Sequence, residues 1–312
     1  MRKAAINAVY ALAKRDPRVV FIGSDLGAGV LDEMRTSMPE RFFMEGVSEA
    51  HVIGMAAGLG MNGYVPYINT IATFLTRRCY EQIAIDLCLH DIPARLIASG
   101  AGTVYAPLGP THMAVEDIAI LRALPNMAIV APVDAAEMTR LMDASLDWPG
   151  PLYIRVAKGG DPVVSRPDLP FAIGKAIRLR EPGEVLFVST GIATTRALAA
   201  AERLAQAGVT GGVLHMHTIK PLDVAELLAA AGDAELVVTV EEHTRIGGLG
   251  SAVAETFADE GIAQPLLRLG LPDAFSHDYG NQDHVLNLAG LSPAAIAAGV
   301  LARLARRPVG VR

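Results

Sequence analysis

The chain of 312 residues is poor in cysteine, with only Cys79 and Cys88. Two thiols make no disulfide framework. They stand nine apart in a segment that reads as helix, roughly 13 Å of rise, too far for a bridge within one helix. A reducing cytoplasm is the expected location. Charge is scarce too: 19% of residues are Asp, Glu, Lys or Arg, against 51% hydrophobic. With abundant Ala, Val, Leu and Gly, that composition excludes a disordered chain, a collagen and a coiled coil. The net charge is −6, which argues against nucleic acid or an anionic membrane as partner but leaves room for a local basic pocket. The first 16 residues carry charges at both ends and no apolar core, so no secretion signal is expected. Residues 50–76 hold no Asp, Glu, Lys or Arg, a run longer than the roughly 18 residues of a membrane span. Asn62-Gly63, Pro66 and Asn69 interrupt it, so it reads as a helix and a strand inside a large core.

What is present is an alternation. Apolar strands are predicted at 19–23, 64–68, 94–98, 128–132, 152–156, 184–189, 211–216, 235–240 and 266–270. Helices are predicted at 3–14, 49–61, 73–89, 134–146, 193–207, 222–231, 251–260 and 293–306, with Ser48 as the N-cap of the second. Continuous apolar strands between helices imply an α/β fold, two domains with parallel-sheet cores covered on both faces. The stretch 157–172 is rich in Pro, Gly and Asp and reads as a connection. It divides the chain into a domain at 1–160, a linker at 161–174 and a domain at 175–312.

Several motifs fail. Gly58, Gly60 and Gly63 match G-x-G-x-x-G, but they close a helix and open a strand, the reverse of a dinucleotide site. Walker A, H-E-x-x-H and G-x-S-x-G sequences do not occur, and the eight histidines are scattered. Two places survive. Glu49 opens a helix and the uncharged run. It is either a first-turn partner of the helix dipole or a carboxylate in apolar surroundings, able to share a proton with a ring nitrogen. His112, in Gly109-Pro110-Thr111-His112, follows the strand 94–98 through a Gly- and Pro-rich loop, where ligands of parallel sheets bind.

Taken in order, the segments GVSEAHVIGMAAGLG (46–60), ATFLTRRCYEQI (72–83), GPTHMAVEDIAILRALPNMAIVAPVDAAE (109–137), MHTIKPLD (216–223) and VTVEEHTRIGGLGSAVAE (238–255) resemble the transketolase group of thiamine diphosphate enzymes. The similarity covers nearly the whole chain but only the C-terminal half of a full-length transketolase. It implies a pyrimidine-binding domain followed by a transketolase-type C-terminal domain. The family's G-D-G…N segment, which binds the diphosphate through Mg²⁺, does not occur here. The resemblance therefore implies a split enzyme in an α2β2 assembly. A second chain, the N-terminal half, would carry the diphosphate and Mg²⁺ site, and this chain would hold no metal.

The same resemblance implies the site residues. Glu49 would hydrogen-bond the pyrimidine N1′ in the relay that removes the thiamine C2 proton. Phe74 would stack on the pyrimidine, with Ile71 and Arg77 beside it. Asp25 would lie near the cofactor, and His112 would bind substrate oxygens or move protons. Arg2 matches a phosphate-binding arginine, and Lys158 stands where a second arginine is usual. Gly100 and Gly29 replace a histidine and a serine on the phosphate, and Leu108 replaces an aspartate that reads a sugar hydroxyl. Arg77 replaces an aromatic and there resembles deoxyxylulose-phosphate synthase. The expected activity is transfer of a two-carbon ketol unit between phosphorylated sugars. The alternatives are a β subunit of a 2-oxoacid decarboxylating enzyme, another carboligase, or an idle structural partner, which Glu49 and His112 argue against.

Overall fold

A computed structural model describes residues 1–24, 29, 31–157 and 159–306. Asp25 and Lys158 lie outside the described residues. Twelve strands occur among the described residues: β1 (Val19–Gly23), β2 (Phe42–Met44), β3 (Val65–Ile71), β4 (Arg95–Ser99), β5 (Ala128–Val130), β6 (Leu152–Val156), β7 (Ile177–Arg180), β8 (Val185–Ser189), β9 (Gly211–His215), β10 (Thr218–Lys220), β11 (Leu236–Thr244) and β12 (Leu266–Leu271). They form a seven-stranded sheet in the order β10-β5-β6-β4-β3-β1-β2 and a five-stranded sheet in the order β12-β11-β8-β9-β7. Neighbours run parallel except β10 against β5 and β7 against β9. The expected parallel cores are there, each with one antiparallel edge strand.

β1, β4, β6 and β8 are buried along their whole length, as sheets covered on both faces require. One face of the larger sheet packs Ile6, Val9 and Leu12 of the helix Arg2–Arg15 against Phe21 and Tyr67. The other packs Val52, Ile53 and Ala56 of the helix Glu49–Met61 against Ile68 and Leu96. The uncharged run is thus a helix buried along one face, with residues such as Met61 exposed, followed by a buried strand, and not a helix wholly inside the core. Register aligns the carboxyl ends: Ile71 pairs with Ser99, and Ser99 with Val156. The loops leaving these strands open on one side of the sheet.

Some predicted elements differ. The helix expected at 73–89 is broken into Ala72–Arg77, Tyr80–Gln82 and a π-helical turn at Ile83–Cys88. The Thr76 hydroxyl bonds back to the Ala72 carbonyl at 2.8 Å, a contact that bends helices. Ser48 precedes the helix Glu49–Met61, but its hydroxyl donates to the Glu45 carbonyl at 2.7 Å and does not cap the helix. Residues 160–172 have no helix or strand, yet they are tied down. Asp134 accepts from Val164 N (2.8 Å), Ser165 N (2.7 Å) and the Ser165 hydroxyl (2.8 Å).

Candidate active site

Buried polar contacts fix the carboxyl ends of the central strands. The Asn69 amide donates to the Ile97 carbonyl at 3.0 Å and to the Ser99 hydroxyl at 2.8 Å. The Ser24 hydroxyl donates to Thr70 at 2.7 Å. Beyond this rim lies Glu49, in the first turn of its helix and 2% exposed. It is not surrounded by apolar groups alone, as its sequence context suggested. Arg78 Nη1 donates to Glu49 Oε2 at 2.7 Å. The Arg78 guanidinium also lies over the Phe74 ring, 4.1 Å from its centroid. The Phe74 ring in turn meets His112 edge to face, with centroids 5.2 Å apart at 69°. Glu49, Arg78, Phe74 and His112 form one continuous chain of contacts, drawn from two helices and a loop.

The loop that carries His112 is held from both sides. Gly102 and Ala114 bridge its base, with N···O distances of 2.8 and 3.0 Å. Arg77 clasps it, donating to the Met113 carbonyl at 2.7 Å and the Pro110 carbonyl at 3.3 Å and pairing with the Glu116 carboxylate. Arg77 therefore fixes the loop. The cation over Phe74 is its neighbour, Arg78. The His112 ring bonds the Thr111 hydroxyl through Nδ1 at 2.9 Å. Burial, and after it the nearby Glu49 carboxylate, push the Cys79 thiol up to about 12. A thiol so protonated is no nucleophile at neutral pH.

The residues expected at a substrate phosphate are less closely gathered. Arg2 Nη1 donates to the Tyr105 hydroxyl at 3.5 Å. Gly100, at φ +73°, has the Tyr105 ring where a side chain would start: a Cβ there would come within 2.0 Å of it. Tyr105 thus fills the space of the histidine that the resemblance led one to expect at 100. Leu108 follows on the same loop, in the short turn Ala106–Leu108, and is 54% exposed. Ile71 ends β3 just before the helix that carries Phe74. Among the described residues, none comes within 4 Å of where a side chain at Gly29 would start. Among the described residues, no group of three or more His, Cys, Asp or Glu could hold a metal.

Sequence reasoning missed Arg78, Tyr105 and Glu116. A signal for Arg78 existed: Arg77-Arg78 are the first charged residues after the uncharged run that starts beyond Glu49.

Fold and site together define a two-domain α/β chain with a cluster of charged and aromatic side chains at the carboxyl ends of its larger sheet. Residues 1–160 match the family "Transketolase, pyrimidine binding domain" and residues 174–296 match "Transketolase, C-terminal domain". The chain belongs to the transketolase family. It is similar to a 1-deoxy-D-xylulose-5-phosphate synthase of Synechococcus sp. (strain JA-2-3B'a(2-13)), 38% identical over 306 residues, covering 96% of this chain and 47% of the synthase. It thus spans about half the length of that relative. It is also similar to the 6-deoxy-6-sulfo-D-fructose transketolase subunit SqwH of Clostridium sp. (strain MSTE9), 35% identical over 293 residues, covering 94% of this chain and 90% of SqwH. Among solved structures, a split-gene transketolase described as an inactive β4 tetramer superposes with a TM-score of 0.88 at 34% identity, covering 98% of both chains.

Proposed function

We propose that this chain is the pyrimidine-side subunit of a two-chain transketolase, which moves a two-carbon ketol unit between phosphorylated sugars together with an N-terminal-half partner. The observation that carries the reading is the contact chain Glu49–Arg78–Phe74–His112 at the carboxyl ends of the strands. The split-gene structure, matched over 98% of both chains, supports a separate partner, as does SqwH, named a subunit and matched over 90% of its length. In this reading the partner brings the ligands for the diphosphate and Mg²⁺, in an α2β2 assembly.

The residues present fit the aminopyrimidine end of thiamine diphosphate. A single planar group with N–H donors already reaches the Glu49 carboxylate and the Phe74 face at once, in the form of the Arg78 guanidinium. When bound, the cofactor supplies the carbanion and the electron sink. This chain's residues supply the rest. Glu49, buried and carboxylate-bearing, exchanges a proton with a ring nitrogen. Phe74 offers an apolar face that orients the ring. His112, on a loop braced by Arg77, presents Nε2 to substrate oxygens or to a proton in transit. Arg2 and Tyr105 offer an N–H and an O–H to an anionic end of the substrate, with Lys158 as the second cation.

A second reading is favoured by the 38% identity to a deoxyxylulose-phosphate synthase. It is carboligation from a 2-oxoacid donor. One experiment separates the two. The chain is combined with its N-terminal-half partner, thiamine diphosphate and Mg²⁺, and offered xylulose 5-phosphate or pyruvate with an aldose phosphate acceptor. Ketol transfer without release of CO₂ is expected; turnover of pyruvate alone would establish the second reading. Glu49→Gln should lower kcat by about 10²–10⁴-fold with the cofactor saturating. Near wild-type turnover would return Glu49 to its helix-dipole role.

A further inference from the structure

In the reading above Arg78 marks where the cofactor's ring fits but has no function of its own, yet it touches both groups that the ring would need. Its Nη1 donates to Glu49 Oε2 at 2.7 Å, and its guanidinium carbon sits 4.1 Å from the centre of the Phe74 ring. A guanidinium and an aminopyrimidine share the relevant chemistry. Both are planar, both present N–H donors along one edge, and both stack on an aromatic face. Arg78 takes one Glu49 oxygen and lies over the Phe74 ring, and His112 already meets that ring edge to face, so a second planar group would compete with Arg78 for the same contacts.

We propose that Arg78 is a residue of the cofactor site, seated in the pyrimidine position while the cofactor is absent and displaced when it binds, so that Arg78 sets cofactor affinity. The inference rests on the thiamine diphosphate reading of Glu49 and Phe74. Three features make displacement feasible. Glu49 is 2% exposed but Arg78 is 46% exposed, so the guanidinium has a route to solvent while the carboxylate stays in place. Arg78 follows the last residue of the helix Ala72–Arg77, at the break before Cys79, where no continuing helix confines its side chain. Arg77 cannot take over the vacated position, because it is engaged with Glu116, Pro110 and Met113. The contact also gives the buried carboxylate a partner until the cofactor arrives.

A site competent only while Arg78 is out binds with an apparent Kd raised by the inverse of the open fraction. Arg78→Met should therefore tighten binding of thiamine diphosphate by about tenfold or more, with Mg²⁺ saturating and the N-terminal-half partner present, measured by titration calorimetry. The direction is diagnostic. Loss of a cation beside an anionic cofactor would by itself weaken binding, so only a vacated seat gives tightening. Arg78→Lys keeps the charge on Glu49 but loses the planar stack, and should fall between the wild type and Arg78→Met. Unchanged or weaker binding in Arg78→Met would overturn the proposal.

A second arm uses the full chain alone, with 4-amino-5-hydroxymethyl-2-methylpyrimidine as probe. Nitrogen-detected NMR should show the Arg78 side-chain signal moving toward that of a solvated arginine as the probe binds. The same shift should occur in Glu49→Gln without probe. An Arg78 signal unmoved by bound probe would refute the displacement. Should the wild-type complex and Arg78→Met both fail to bind the cofactor while the pyrimidine displaces Arg78, the two-chain reading is what fails, and the seat stands.

Discussion

Asp117→Asn tests how the two halves of the chain are joined beneath the His112 loop. Asp117 and Tyr153 are wholly buried and Arg155 nearly so. Arg155 Nε donates to Asp117 Oδ2 at 2.8 Å, and its Nη2 reaches Asp117 Oδ1 (3.3 Å), the Ala114 carbonyl (3.2 Å) and the Glu242 carbonyl (2.9 Å). The Tyr153 hydroxyl donates to Asp117 Oδ2 at 2.7 Å. Burial alone would push the Asp117 carboxyl up, but Arg155, then His243, hold it below the usual range. Burial, and then Asp117 itself, raise the Tyr153 hydroxyl well above its ordinary value, so it stays a donor. Asparagine keeps the shape and removes the charge, leaving the buried Arg155 guanidinium without its ion-pair partner and with only the Glu242 carboxylate nearby as counter-charge. Breaking a buried pair from one side costs about 3–5 kcal/mol. At roughly 2–4 °C per kcal/mol for a large domain, the midpoint of thermal unfolding should fall by about 10 °C. Calorimetry of Asp117→Asn, Arg155→Met and the double variant gives the coupling. The double variant should be more stable than the two single losses would sum to, by about 2 kcal/mol or more. A loss under about 1 kcal/mol in Asp117→Asn, or simple additivity, would refute the reasoning.

Two further outcomes are expected. Burial, and then His215, push His217 down to about 3. The unfolded chain therefore binds a proton there that the folded one does not, and stability should rise with pH from about 3 to 6.5 and level off above. The slope from this one group is about 1.4 kcal/mol per pH unit. Urea unfolding of His217→Leu between pH 4 and 7 should show that slope removed, and an unchanged slope would clear His217 of the effect. In the ketol-transfer reading proposed above, Leu108 faces the substrate and accepts no hydrogen bond, so a phosphorylated ketose lacking the neighbouring hydroxyl should react within about 1–3 kcal/mol of the ordinary sugar. Leu108→Asp should widen that gap, and kcat/KM ratios that stay the same would remove position 108 from recognition.

How far the fold could be read from the residues depended on the length and uniformity of each element. β1 and β6 are five-residue runs of nearly unbroken apolar character, and their bounds were legible from that alone. β2, β7 and β10 have three or four residues each. No periodicity develops over so few positions, and what makes them strands is the neighbour they pair with. The site divides in the same way. Glu49 stands out because it borders a long uncharged run, and His112 because of its loop. Arg78 lies 29 residues from the carboxylate it meets, a contact that exists only once the helix after β3 has folded back over the helix Glu49–Met61. Asp117, Arg155 and His243 are far apart in the chain, and no local spacing reports their meeting.

The strand β10 has a consequence for how such proteins can be recombined. It lies beyond the linker, in the C-terminal half, yet it pairs antiparallel with β5, Thr218 opposite Val130, and closes the edge of the larger sheet. The seam in the sequence is therefore not a seam in the structure. A pyrimidine-binding module excised at the linker would leave β5 as an open edge, with unpaired backbone groups free to recruit another chain. Exchanging C-terminal modules between relatives would carry over the strand that seals the first sheet. Such a chimera succeeds only where the incoming Thr218–Lys220 equivalent keeps its register on β5.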